Sequence, residues 1–77
     1  MVYNQNIWHA IDKLAKTNGL SVSGLAKLSG LDPTAFNPSK RQTKYGQPRW
    51  PSTYSLAKIL HATNTSFAEF VKYIEQE

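Results

Sequence analysis

The chain has 77 residues, no cysteine and a formal net charge of +4. That length gives one small domain near the lower limit for folding without staples, and the missing thiols exclude disulfides and thiolate metal sites. No apolar run approaches a membrane span, and the start "MVYNQNIWHAIDKLAK" is too polar and acidic for a signal peptide, so a soluble cytoplasmic domain is expected.

Five short helical segments follow one another. In the first, from about Asn6 to Asn18, Ile7, Ile11, Leu14 and Ala15 fall at helical spacing and Trp8 closes the edge of the stripe. Asn4 or Asn6 can cap it, and Asn18-Gly19 supplies a left-handed stop. Ser21 can cap a second helix from Val22 to about Ser29, with Leu25, Ala26 and Leu28 directed inward, and Gly30 then breaks the chain. The third segment, "LDPTAFNPSKR" at 31–41, starts like a helix, with Asp32 as cap and Pro33 at the first helical position. Pro38 interrupts it, because proline lacks an N–H and clashes with the carbonyl four residues earlier, at a cost of about 3 kcal/mol. A short helix from Pro33 to Asn37 is therefore expected, followed by a bend or second turn that presents Ser39, Lys40 and Arg41.

A loop, "QTKYGQPRWP", comes next. Ser52 caps a fourth helix, "STYSLAKILHAT", with Tyr54 or Ser55, Leu56, Ile59 and Leu60 giving the period. After the turn "TNTS", Ser66 and Glu69 form a capping box that opens a fifth helix, whose apolar face is Phe67, Phe70, Val71 and Ile74. Nothing alternates with period two, and helices this short persist only when packed together. An all-α bundle of five helices around one core is expected.

Charge is unevenly spread. Residues 27–58 hold Lys27, Lys40, Arg41, Lys44, Arg49 and Lys58 against Asp32 alone, whereas the tail carries Glu69, Glu75 and Glu77. A basic middle of this kind fits a polyanion partner, since neutralising phosphates releases condensed counterions; an ordinary solvated surface is the plainer explanation.

Two helices that cross near a right angle through a tight turn need a small residue at the contact, a glycine with positive φ at the turn, and a large apolar anchor on the second helix. Ala26, Gly30 and Phe36 have that spacing, with Val22, Leu25 and Leu31 completing the local core. The arrangement resembles the helix-turn-helix of lambda-repressor-like (XRE-type) DNA-binding domains, over nearly the whole chain. "LAKLSGLDPTAFN" and "RWPSTYSLAKILHATNTSFAEF" are more narrowly similar to the N-terminal domain of bacterial and phage SOS-type repressors, which precedes a self-cleaving serine peptidase domain.

The resemblance implies a compact five-helix bundle, with helices 2 and 3 forming the motif. It also implies sequence-specific binding to double-stranded DNA, a homodimer on DNA (through a further C-terminal domain if one follows) and a place on the nucleoid. The start and exposed face of the third helix would meet base edges. Thr34, Asn37 and Arg41 are the expected readers there, Asn37 for adenine and Arg41 for guanine. Thr34 could instead donate to a phosphate and Asn37 could be a local cap. Val22 stands where the family often has a phosphate-contacting glutamine, so Ser23 or the backbone must substitute. Lys40, Lys44 and Arg49 are expected on the DNA backbone, and Ser39 is expected among the DNA-binding residues.

Elsewhere the residues read as structural. Tyr45 is expected to pack on the domain rather than stack on a sugar, and Trp50 to plug the core and anchor the loop rather than serve as a stacking platform. His9 and His61 are expected to be partly buried, with no second ligand at metal spacing. Tyr73 and Ile74 could form a dimer contact or rest on their own core. No metal, cofactor or catalytic set is expected, and the serines have no triad partners. The competing reading is a protein-interaction module on the same scaffold, with only non-specific affinity for DNA.

Overall fold

In a computed structural model, which describes residues 3–75, the chain is all-helical with a Cα radius of gyration of 11.7 Å. Glu77, part of the acidic tail, lies outside the described residues. Four α-helices are present: α1 (Asn4–Thr17), α2 (Val22–Leu28), α3 (Thr53–Ala62) and α4 (Phe67–Glu75). Helix α1 is the spine, packing against both α4 and α2, and α2 packs in turn on α3. Their shared core contains Trp8, Ile11, Leu14, Leu25, Ala26, Phe36, Ile59, Leu60 and Phe70.

The helix boundaries follow local chemistry. Ser21 Oγ accepts from Gly24 N at 3.0 Å and Ser52 Oγ from Ser55 N at 3.0 Å, each satisfying a donor that has no partner within its helix. At α4 the expected box is reciprocal: Ser66 N donates to Glu69 Oε1 and Glu69 N to Ser66 Oγ, both at 3.1 Å. The Ser66 backbone N–H first, and the Ser66 side chain second, hold the Glu69 carboxyl below its ordinary pKa. Helix α1 begins earlier than expected, and Asn6 acts within the first turn rather than before it, its Oδ1 accepting from Tyr3 N at 2.8 Å.

Three helices stop in one way. At the end of α2, Gly30 (φ +75°) donates to Lys27 O and Leu31 N to Ala26 O, the paired bonds of a Schellman motif. The same two bonds close α1 at Gly19-Leu20 and α3 at Asn64-Thr65. Leu20 and Leu31 then pack on the core, which fixes the direction in which the chain leaves each helix.

The third expected helix does not form. Asp32 to Arg41 is a run of 4→1 turns instead, with Ala35 N on Asp32 O, Asn37 N on Thr34 O, Lys40 N on Asn37 O and Arg41 N on Pro38 O. Pro38 has no N–H to give Thr34 O, so Asn37 N takes that acceptor one residue early. Asn37 itself is extended (φ −63°, ψ 152°), as a residue before proline prefers, and Pro38–Lys40 is a single 3₁₀ turn. The bend is where Pro38 puts it, but the turn before it is not α-helical. With prolines at 33 and 38, too few backbone bonds remain to offset the cost of nucleating a helix. Among the described residues there are therefore four α-helices, not five.

The loop has more order than a turn signal implies. Gln42 and Pro48 form an antiparallel bridge, Thr43 N donates to Gln47 O at 2.8 Å, and Gly46 N to Thr43 O at 2.9 Å. Gly46 takes φ +80°, the left-handed position of a three-residue hairpin loop. Residues 42–48 thus make a small hairpin with Lys44 and Tyr45 at its tip.

Several apolar residues expected inside are outside. Leu28, Tyr54 and Phe67 are exposed, and Tyr73 and Ile74 rest on the core of their own domain. The buried face of α4 is supplied by Phe70, with Val71 half-buried. His9 and His61 are exposed rather than partly buried. Among the described residues, no helix is long and apolar enough to cross a membrane.

Candidate nucleic-acid interface

The segment between α2 and α3 carries most of the residues that could meet a polyanion. Its turn region is anchored from below by Phe36, which is 1% exposed, and by half-buried Ala35. Above that anchor, Pro33, Thr34, Ser39 and Lys40 face solvent. Asp32 stabilises the start: its Oδ1 accepts from Thr34 Oγ1 at 2.6 Å and Thr34 N at 2.8 Å. Those bonds, the hydroxyl's first, hold the Asp32 carboxyl below its ordinary pKa. Thr34 therefore spends its hydroxyl proton on Asp32, leaving an acceptor oxygen and a methyl group toward solvent. Asn37 is half-buried, and its side chain makes no cap bond to the 3₁₀ turn.

Arg41 is turned inward. Its Nη1 and Nη2 donate to Asp12 Oδ2 and Oδ1 at 3.0 and 2.7 Å, and Nε and Nη2 donate to Phe36 O at 3.2 and 2.9 Å. The guanidinium carbon sits 5.1 Å from the Trp8 ring centroid. Four of its five N–H groups are used within the domain, so a bidentate guanine contact would require breaking this set.

Other cations stay exposed. Lys40, Arg49, Trp50, Ser52 and Ser55 line one open cleft of about 270 Å³, floored by Trp8, Ala35, Phe36 and Pro51. The cleft brings together two of the expected backbone contacts, from the 3₁₀ turn and from the loop. Lys44 stands apart at the hairpin tip, its Nζ 5.1 Å over the Tyr45 ring. Ser23 is half-buried in the first turn of α2. Ala26 and Phe36 are buried and Gly30 is left-handed at the end of α2, but the second helix that Phe36 was expected to anchor is a run of turns.

Trp50 is 61% exposed and Tyr45 79% exposed, so neither packs as expected. The place expected for Trp50 is taken by Trp8, 5% exposed, whose Nε1 donates to Arg49 O at 2.9 Å and so anchors the loop by its backbone. Asn4 Nδ2 donates to the same oxygen at 3.1 Å. Asp12 did not emerge as functional from its sequence position. One signal pointed to it: Trp8 and Asp12 are four apart on one helix and so share a face, offering a ring and a carboxylate to one cation.

No protein-family model, curated protein or solved structure matches the chain. The functional reading therefore rests on the residues and their arrangement.

Proposed function

We propose that the chain is a sequence-specific, double-stranded DNA-binding domain of a bacterial or phage transcriptional repressor, of the lambda-repressor-like helix-turn-helix class. In this reading α2 and the turn run 33–40 stand for the two arms of the motif. Thr34, Asn37 and Ser39 face base edges in the major groove, and Lys40, Lys44 and Arg49 meet phosphates. The observation that carries it is electrostatic: residues 33–68 contain no carboxylate, and three cations on the turn, the hairpin and the loop remain exposed. Each phosphate neutralised contributes a slope of about −0.9 in log K against log salt, so three contacts give about −3 per domain.

One such domain covers a small interface, so tight binding takes two copies on half-sites about one helical turn apart. A self-cleaving peptidase domain after this one would supply the dimer contact, and the working place of the whole would be the nucleoid. The competing reading, a protein-interaction module, draws on the exposed rings of Trp50, Tyr54 and Phe67.

Fluorescence anisotropy on a pool of genomic fragments separates the two. Repressor function requires a preferred duplex whose advantage over random DNA survives rising salt. Uniform binding to every fragment would overturn it. Lys44→Ala should weaken all duplexes alike and flatten the slope by about 1, whereas Thr34→Ala should relax the preference.

A further inference from the structure

Arg41 has the charge and place of a DNA contact, yet its donors point into the domain. We propose that it is a positioning residue that holds the reading turn and the hairpin in register. It replaces a missing piece of helix. In an α-helix Phe36 O would accept from Lys40 N, but Lys40 N bonds to Asn37 O at 2.8 Å instead. That leaves the Phe36 carbonyl without its helical partner, and Arg41 Nε and Nη2 supply two donors to it. The proline-broken turn thus takes from a side chain the bond that its backbone cannot make.

The same residue reaches two further elements. Its fork grips both oxygens of Asp12 on α1, a geometry that fixes direction as well as distance. Its own carbonyl accepts from Arg49 N at 3.0 Å, closing the base of the hairpin beside the Gln42–Pro48 bridge. Spine and reading turn therefore meet at the Arg41 side chain, which is 20% exposed, and the hairpin joins them through the same residue's backbone. The depression that Arg41 lines contains Asn4, Gln5, His9, Gln42 and Pro48, and is not the cleft lined by Lys40 and Arg49. Swinging out to DNA would take both guanidinium donors from the Phe36 carbonyl and hand the 42%-exposed Asp12 carboxylate back to water, so a DNA contact would forfeit the whole set.

This inference rests on the DNA-binding reading for its functional effect, but not for its structural one, so two measurements are paired. Arg41→Lys keeps the charge and loses the fork; Asp12→Asn keeps the shape and raises the net charge of +4 by one. On charge alone, Asp12→Asn should tighten binding to every duplex. As a loss of positioning, both variants should reduce the preferred-over-random affinity ratio by about tenfold, comparable to one mismatched base pair. The salt slope should stay unchanged, because no phosphate contact is lost.

Amide exchange in the DNA-free protein gives the second readout. Lys40, Arg41, Thr43 and Arg49 amides should exchange faster in both variants, while that of Phe70 in α4 keeps its protection. A preference ratio kept by both variants, a salt slope flattened by about 1 in Arg41→Gln, which removes the charge, or unchanged exchange at those four amides would each overturn the proposal. A wild-type domain without any preferred duplex, but with the expected exchange pattern, would refute the DNA reading and leave the strut standing.

Discussion

Two glycines six residues apart should respond to alanine with opposite signs. Gly30 holds φ +75° at the stop of α2, and a Cβ placed there meets nothing within 4 Å. Its alanine variant therefore suffers no clash, and the penalty is that of forcing an L-residue left-handed, about 1–2 kcal/mol. A partial offset comes from the stiffer unfolded chain, leaving about 1 kcal/mol of destabilisation. For a domain of this size that lowers Tm by about 4–8 °C. Gly24 lies in the first turn of α2, where a Cβ would touch Ser21 Oγ at 3.4 Å and Leu20 Cδ2 at 3.6 Å, ordinary packing distances. Its alanine variant should gain about 0.5 kcal/mol from helix propensity and raise Tm by about 2–4 °C. Thermal melts followed by far-UV circular dichroism compare the two with Gly30→Asn, which tolerates the left-handed region and should fall between Gly30→Ala and wild type. A Gly30→Ala variant as stable as wild type, or a Gly24→Ala variant destabilised equally, would refute the reasoning.

Two further outcomes follow from the site. Because the folded pKa of Asp32 is depressed, its stabilisation of the turn is complete above the unfolded value near 3.8 and fades as pH falls through the lower folded value. The Thr34 amide shift should report that titration, and Thr34→Val, which removes the leading hydroxyl bond, should move the midpoint up; an unmoved midpoint would contradict the assignment. The chain has two tryptophans, one buried and one exposed beside Lys40 and Arg49, so duplex binding should shield indole emission from iodide. Trp50→Phe should abolish that shielding, and shielding that persists without Trp50 would place the duplex elsewhere.

Features fixed by neighbours in sequence were legible before any coordinates. The Ser21, Ser52 and Ser66 caps and the Gly30 stop depend on atoms within about five residues, and local chemistry decides them. Pro38 also announced the break in the third segment. What it did not reveal is that the four residues between Pro33 and Pro38 cannot sustain even one α turn. Side-chain placement was less accessible. Arg41 has its carboxylate partner 29 residues away in sequence, beyond any spacing rule. Trp50, Leu28 and Phe67 look like core by composition, yet a domain this small has too little interior for every large apolar residue. Trp8 took the place beneath the loop because α1 is the spine on which the other parts lean.

The turn run has a consequence for how such a domain could change its target. A helical reader limits its own alphabet, since an exposed β-branched or short polar residue costs up to about 0.7 kcal/mol of helix propensity. Residues 33–40 rest on Phe36, on two prolines and on a guanidinium, so Thr34, Ser39 and Lys40 are excused from that cost. Ser39 and Lys40 can be exchanged with little loss of stability, whereas Thr34 must keep a hydroxyl for Asp32. Specificity and foldedness are thereby largely uncoupled, and a library varied at Ser39 and Lys40 should yield folded domains at nearly every member.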